Sequence, residues 1–351
     1  MTVHAPLLPL RHPHADFFLA DIFDSIPVKN DRHTMEHPFF ALSTKPDIRE
    51  VRYRRDGVSI TLSPHHRLGL PTMMDKDILL YCGSLLMKEI NAGRLPPKTM
   101  RFSAHDLMIT TNRMTNGQAY AQLKNAFERL AGCLITTDIK TNGIRIAGGF
   151  HILESYYVVE SSHDKKRMVR LEVTVSDWFY NALIGKEVLT INREYFRLRK
   201  PLERRLYELA RKHCGKQPSW QIGLENLQEK CGALSPLNKF RFQLRAIIHP
   251  DHLPDYQMAL DAHDMVTFAN RYHIVKQALS MASVFPGMET LPTLTPATLA
   301  RGAQLVEKAG TGWDYDAIVT QFHEQLARGF TPLNANAAFI GFVKKKITRR
   351  A

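Results

Sequence analysis

The sequence predicts an α+β protein: two tandem winged helix-turn-helix domains, with an N-terminal arm and hairpin before them and a small C-terminal helical module after them. Three observations carry that expectation. Twice along the chain, three stretches whose apolar residues recur every three or four positions are followed by a pair of short alternating segments. The residues between the paired segments are hairpin formers, Asn142-Gly143 in the first unit and Asp261-Ala262-His263-Asp264 in the second. The chain has 351 residues, 44% of them hydrophobic, enough for two cores and too apolar for wholesale disorder.

The elements follow in order. Residues 1–45 are Pro- and His-rich, with a short apolar piece over Phe17–Phe23, and read as an extended arm. Residues 46–190 read as the first winged-helix domain. Val51–Arg55 and Val58–Leu62 alternate around Asp56-Gly57, a hairpin signal. Asp75 stands where an N-cap belongs for a helix carrying Ile78, Leu79, Cys82, Leu85, Leu86 and Ile90. Ser103 and Asp106 suit the start of a short second helix, and Asn116-Gly117 opens a third with Tyr120, Leu123, Phe127 and Leu130 on one side. Leu134–Ile139 and Ile144–Phe150 then form a hairpin, and Leu153–Glu160 and Met168–Val175 are two more strands.

Residues 191–272 read as the second winged-helix domain. Pro201 sits in the first turn of a helix that turns Leu202, Leu206, Leu209 and Ala210 inward. A second helix spans Leu224–Cys231, closed by Gly232, and a third begins at Ser235-Pro236 with Leu237, Phe240, Leu244, Ile247 and Ile248 inward. Tyr256–Leu260 and Met265–Asn270 make its hairpin. Residues 273–296, with Pro286-Gly287, Pro292 and Pro296, read as a linker. Residues 297–351 read as the helical module, with a small core of Trp313, Phe322, Phe339, Ile340 and Phe342 and a basic tail from Lys344 to Arg350.

Charge narrows the function. There are 47 Lys and Arg against 34 Asp and Glu, a formal net charge of +13, which favours an anionic partner and nucleic acid first. No window approaches the roughly 20 apolar residues of a membrane span, and the first residues lack a leader's basic and apolar regions, so a cytoplasmic protein is expected. The four cysteines are scattered without a CxxC pair and read as buried free thiols. No GxxxxGK[ST], GxSxG or HExxH pattern occurs. His12-Pro13-His14 is the one trace of a metal-dependent nicking site, but a proline separates the pair and Asp16 is the only acid nearby. No catalytic residue, metal or cofactor is therefore expected.

Two helix faces have the chemistry to read DNA. On the third helix of the second unit, the side opposite the apolar stripe holds Asn238, Lys239, Phe242, Arg245 and Ala246, with Arg241 at its border and no carboxylate. Asn pairs bidentately with adenine, Arg with guanine, and an exposed ring meets a thymine methyl. Alternatively, Phe242 packs against the wing or a second subunit. On the third helix of the first unit, Gln118, Gln122, Asn125 and Arg129 oppose the apolar side and offer the same chemistry. Arg204, Arg205, Arg211 and Lys212, on the outward side of the helix opening the second unit, read as phosphate contacts together with Lys140. Part of that set can instead pair with Glu203 and Glu208 at helical spacing.

The run Tyr195-Phe-Arg-Leu-Arg-Lys-Pro-Leu-Glu-Arg-Arg-Leu-Tyr-Glu-Leu-Ala-Arg-Lys-His-Cys-Gly215 resembles the signature of the plasmid replication initiator protein A family of bacteria. So do Pro9–Phe18, Met35–Phe39, Leu42–Pro46 and Val175–Trp178, and the likeness covers residues 6–271. Gly312-Trp313-Asp314 and Ala337–Phe342 look like a helical module that accompanies such initiators. The resemblance implies a protein that binds double-stranded DNA at repeated sequences (iterons) of a plasmid origin. It also implies help in melting an adjacent A·T-rich stretch, recruitment of the host replication initiator and replicative helicase, and a shift between a monomer and a homodimer. The competing expectations are a winged-helix repressor on an operator and, far behind, a nicking endonuclease.

Overall fold

The computed structural model describes residues 7–12, 27–43, 45–145, 148–161, 167–282, 294–309, 314–327, 330, 332 and 334–348. Its first elements are β1 (Lys29–Asp31) and α1 (Arg32–Glu36), so this end of the expected arm is regular structure and not an extended strap. Asp31 begins the helix by accepting from the Thr34 amide at 2.8 Å. Strands β2 (Val51–Arg55) and β3 (Val58–Ser63) form the expected hairpin, with Asp56 at φ 50° and Gly57 at φ 77° supplying the left-handed pair that its turn requires.

The first unit continues with α2 (Lys76–Asn91), β4 (Thr99–Phe102), α3 (Ala104–Thr110), α4 (Gly117–Gly132), β5 (Leu134–Thr137), β6 (Gly149–His151), β7 (Leu153–Ser161) and β8 (Arg167–Val175). Then come α5 (Asp177–Ile184) and β9 (Val188–Thr190), which pairs antiparallel with β1. The second unit comprises α6 (Pro201–His213), β10 (Ser219–Gly223), α7 (Leu224–Cys231), α8 (Leu237–Ile248), β11 (Tyr256–Leu260) and β12 (Met265–Asn270).

Both units run helix, strand, helix, helix and then a strand pair, with β5 and β6 inserted before that pair in the first. Their three-stranded antiparallel sheets also share one order, β4-β8-β7 and β10-β12-β11. The counterpart of the β11–β12 hairpin is therefore β7–β8. The strands directly after α4, expected in that role, join the β2–β3 hairpin in a separate sheet ordered β2-β3-β5-β6. Alternation shows which face of a strand is buried; here Ile60, Leu62 and Ile135 all turn to the core whichever strand is the neighbour.

Each unit has its own core. The first gathers Ile78, Leu79, Cys82 and Leu86 of α2, Leu123, Phe127 and Leu130 of α4, Leu171 and Val173 of β8, and Trp178. The second gathers Leu206 and Leu209 of α6, Leu227 of α7, Phe240, Leu244 and Ile247 of α8, and Phe268 of β12. Side chains of this size each contribute about 1.5–3 kcal/mol on leaving water. All four cysteines are buried and free.

Two local expectations need correcting. Asp75 does not cap α2: its own backbone is helical (φ −71°, ψ −25°), and its carboxylate accepts from the Thr72 amide and the Arg129 guanidinium instead. The first part of the expected linker is helix, since α9 (Arg271–Ala282) continues straight out of β12. Beyond it, α10 (Pro296–Ala309), α11 (Tyr315–Ala327) and α12 (Ala335–Thr348) enclose a third small core of Val306, Ile318, Phe322, Leu326, Phe339 and Val343. Ile340 and Phe342 only pack against it, and Lys344–Lys346 of the expected basic tail belong to α12. Trp313, Phe17–Phe23 and the Pro13-His14 pair lie outside the described residues.

Candidate nucleic-acid interface

Helix α8 is amphipathic by sequence and by position. Phe240, Leu244 and Ile247, at spacings of four and three, face the core. The opposite side exposes Asn238, Lys239, Phe242, Gln243, Arg245 and Ala246. Phe242 is 74% exposed, so the ring is not packed under the adjacent hairpin. An exposed phenyl at the centre of a helix face is a poor solvent-facing choice and has the chemistry to meet an apolar base edge. Asn238 turns its amide oxygen back to the Lys239 backbone N–H at 2.7 Å, which leaves its NH₂ outward.

Arg241, at the border of this face, is paired with a carboxylate. Its guanidinium donates to both carboxylate oxygens of Asp264, at 3.0 and 2.6 Å, from the turn between β11 and β12. That hydrogen-bonded guanidinium holds the Asp264 carboxyl below its ordinary range. The helix itself carries no acid, but the neighbouring turn supplies one, and periodicity along α8 gives no sign of it. Gln243 is a further polar residue on this side, three residues from Phe240 and one from Leu244, and its place on the helical wheel puts it toward water.

Helix α4 repeats the division. Leu123, Ala126, Phe127 and Leu130 are buried, whereas Gln118, Ala121, Gln122, Lys124 and Asn125 are exposed. Asn116 caps the helix by accepting from the Ala119 amide at 3.0 Å, which sets Gln118 in the first turn. Arg129, expected on this face, is turned to a carboxylate instead. It makes two 2.7 Å hydrogen bonds to the buried Asp75 and lies against the start of α2.

The phosphate-contact set fails more widely. Arg204 and Arg205 are each 1% exposed. Arg204 donates to Asp77 at 2.5 Å and to the carbonyls of Leu198 and Phe196. Arg205 donates to the carbonyls of Thr34, Met35, Glu36 and Lys230. Arg211 is held by the Thr190 carbonyl at 2.7 Å and Asp314 at 3.1 Å. Lys212 is mostly buried 3.9 Å from Glu36, and its desolvation lowers the pKa of the ammonium. Arg204, Arg205 and Lys212 share one physical reason, since α1 and the start of α2 cover the side of α6 that a lone helix would show to water; Arg211 is covered instead by β9 and by Asp314 before α11. Lys140, in the turn after β5, is the one member of that set on the surface.

No helix among the described residues is long and apolar enough to cross a membrane. What remains exposed is a pair of helix faces, rich in amides and cations, each at the same place in one of two topologically equivalent units.

The family model described as Replication initiator protein A matches residues 29–258. A protein of Wigglesworthia glossinidia brevipalpis, provisionally named a replication protein, is 34% identical over 260 residues, which span 73% of this chain and 94% of that protein. Among solved structures, domains 2 and 3 of RctB align over 66% of this chain and 94% of theirs, at 14% identity and a TM-score of 0.45. The Pi initiator protein, solved in complex with iteron DNA, aligns over 57% of this chain and 91% of its own, at 18% identity and a TM-score of 0.41.

Proposed function

The chain belongs to the replication initiator protein A family, and from that footing we propose that it binds repeated sequences at a plasmid origin through α4 and α8, each the third helix of a winged helix. Bound there, it helps to open the adjacent duplex and brings in the host replication initiator and replicative helicase. The observation that carries the reading is the outer face of α8, where Asn238, Lys239, Gln243 and Arg245 surround an exposed Phe242 without a carboxylate on the helix. Amide and guanidinium groups at this spacing match base edges in the major groove, and a small Ala246 permits close approach. The second exposed face on α4 supports contact with a neighbouring segment.

The protein titrated onto direct repeats flanking its own gene tests this. Binding should weaken with salt at a slope of about −0.9 per phosphate neutralised. Failure to prefer the repeats over a shuffled duplex rejects the reading. A plasmid carrying only this gene and its repeats should replicate in a suitable host. Binding without replication leaves a repressor.

A further inference from the structure

The two units meet at α2, and the meeting is built from buried charge. Lys76 and Asp77, in the first turn of α2, are fully buried, and both reach across to α6 of the other unit. The Lys76 ammonium donates to Glu208 at 2.8 Å and to the Thr34 carbonyl at 3.2 Å. Asp77 accepts from Arg204 at 2.5 Å. The pairs are crossed: α2 offers a cation then an anion, and α6 offers a cation then, one turn later, an anion. Their remaining valences are filled within the seam. Arg113 adds a second bond to Asp77 at 3.4 Å, and Tyr195 and Asn30 donate to Glu208 at 2.8 and 3.1 Å.

The same side of α2 continues the contact one and two turns on. Leu80 belongs to the second unit's core, and Ser84 accepts from the Lys29 amide at 2.9 Å. A separate strut lies on the surface, where Arg55 at the end of β2 donates to Glu229 and Asn226 of α7 at 2.6 and 3.1 Å. An apolar seam tolerates sliding, because dispersion and burial change little over a small shift. A crossed pair of buried ions does not, since any slide or rotation uncovers charges of both signs away from water. With a strut at a second point, rotation about the first is blocked as well.

We propose that the crossed Lys76–Glu208 and Asp77–Arg204 pairs, with the Arg55–Glu229 strut, act as a register clamp that holds α4 and α8 at one separation and angle. The clamp makes the spacing between the two DNA segments a recognised feature in its own right. These are positioning residues, and the inference rests on the DNA-binding reading above. Replacing a buried ion pair by neutral groups of similar size commonly preserves folding, so Lys76→Met with Glu208→Gln is the first variant. Arg55→Ala, at the surface, is the second and leaves the buried seam alone.

Two measurements decide it. Nitroxide labels on Gln118→Cys and Ala246→Cys, both exposed, report the distance between the helices without DNA, the native thiols being buried. The parent should give one narrow distance, and each variant a broader or shifted one. An unchanged distribution in both variants overturns the clamp. The second measurement uses origin repeats lengthened by one or two base pairs, each about 3.4 Å, between the segments the two units protect. The parent should lose roughly tenfold or more in affinity, and the variants about threefold or less. Equal loss in parent and variants, or uniform weakening of the variants at every spacing, also overturns it. If the parent binds no repeat at all, the DNA reading fails while the label distances still judge the clamp.

Discussion

Arg204 and Arg205 show how far the meaning of a charge depends on what lies over it. By sequence they are cations on the polar side of an amphipathic helix; in the fold they are buried anchors with each guanidinium nitrogen donating to a carbonyl or a carboxylate. Removing one partner of such a buried pair leaves the other uncompensated. Arg204→Ala should therefore lower stability by about 3–5 kcal/mol, read from urea unfolding. A phosphate contact would instead have left stability alone and reduced the salt slope of DNA binding. His37 carries a second residue-scale prediction. Burial holds its pKa down to about 4 from 6.5, against the pull of Glu36 and with the push of Arg205 and Lys230. The unfolded chain then takes up the proton first, so the folded state is favoured fully above pH 6.5 and loses that advantage as pH falls toward 4. Glu36 extends the trend below pH 4.5. Burial raises its pKa, but hydrogen bonds from His213 and Lys230 outweigh this and hold it well below 4.5, which favours the fold until acid protonates it. The melting temperature should fall between pH 6.5 and 4, and His37→Gln should flatten the upper part of that fall.

For a single element, α8 separates reading from folding. Arg245 and Phe242 are exposed, so Arg245→Ala and Phe242→Ala should change stability by no more than about 0.5 kcal/mol. Arg245→Ala should cost about 1–3 kcal/mol at one base position of the repeat, seen by comparing singly substituted duplexes. Equal loss on every duplex would place Arg245 on the backbone. Asp264→Ala releases Arg241 and removes a carboxylate beside this face. It should tighten binding, most visibly at low salt where surface charges are least screened. Helices were legible because their apolar residues repeat over several turns, as in Leu123, Phe127 and Leu130. Strands β4 and β10 were not. Four and five residues long, with Arg101 and Gln221 among them, they carry too little alternation to stand out until a sheet supplies the partner.

At the scale of the whole molecule, the two units are bound together by residues outside the second unit that complete its core. Val28 and Met35, upstream of the first unit, and Leu80 within it pack into the second unit's core. The buried charges between α2 and α6 are satisfied only while both units are folded. The units should therefore unfold in one transition, with tryptophan fluorescence and far-ultraviolet circular dichroism coinciding in urea; separated transitions would contradict the coupling. The sequence by itself determined the mixed helix-and-sheet class, the amphipathic helices with their inward stripes, the exposed outer face of α8 and the family likeness, because each is written in short-range periodicity or in contiguous motifs. Only the tertiary structure decided which strands share a sheet, which carboxylate claims Arg129 or Arg241, and that the basic side of α6 is an interior seam. Those depend on what a distant segment covers, and a helix's own pattern is the same whether water or another part of the chain lies against its polar side.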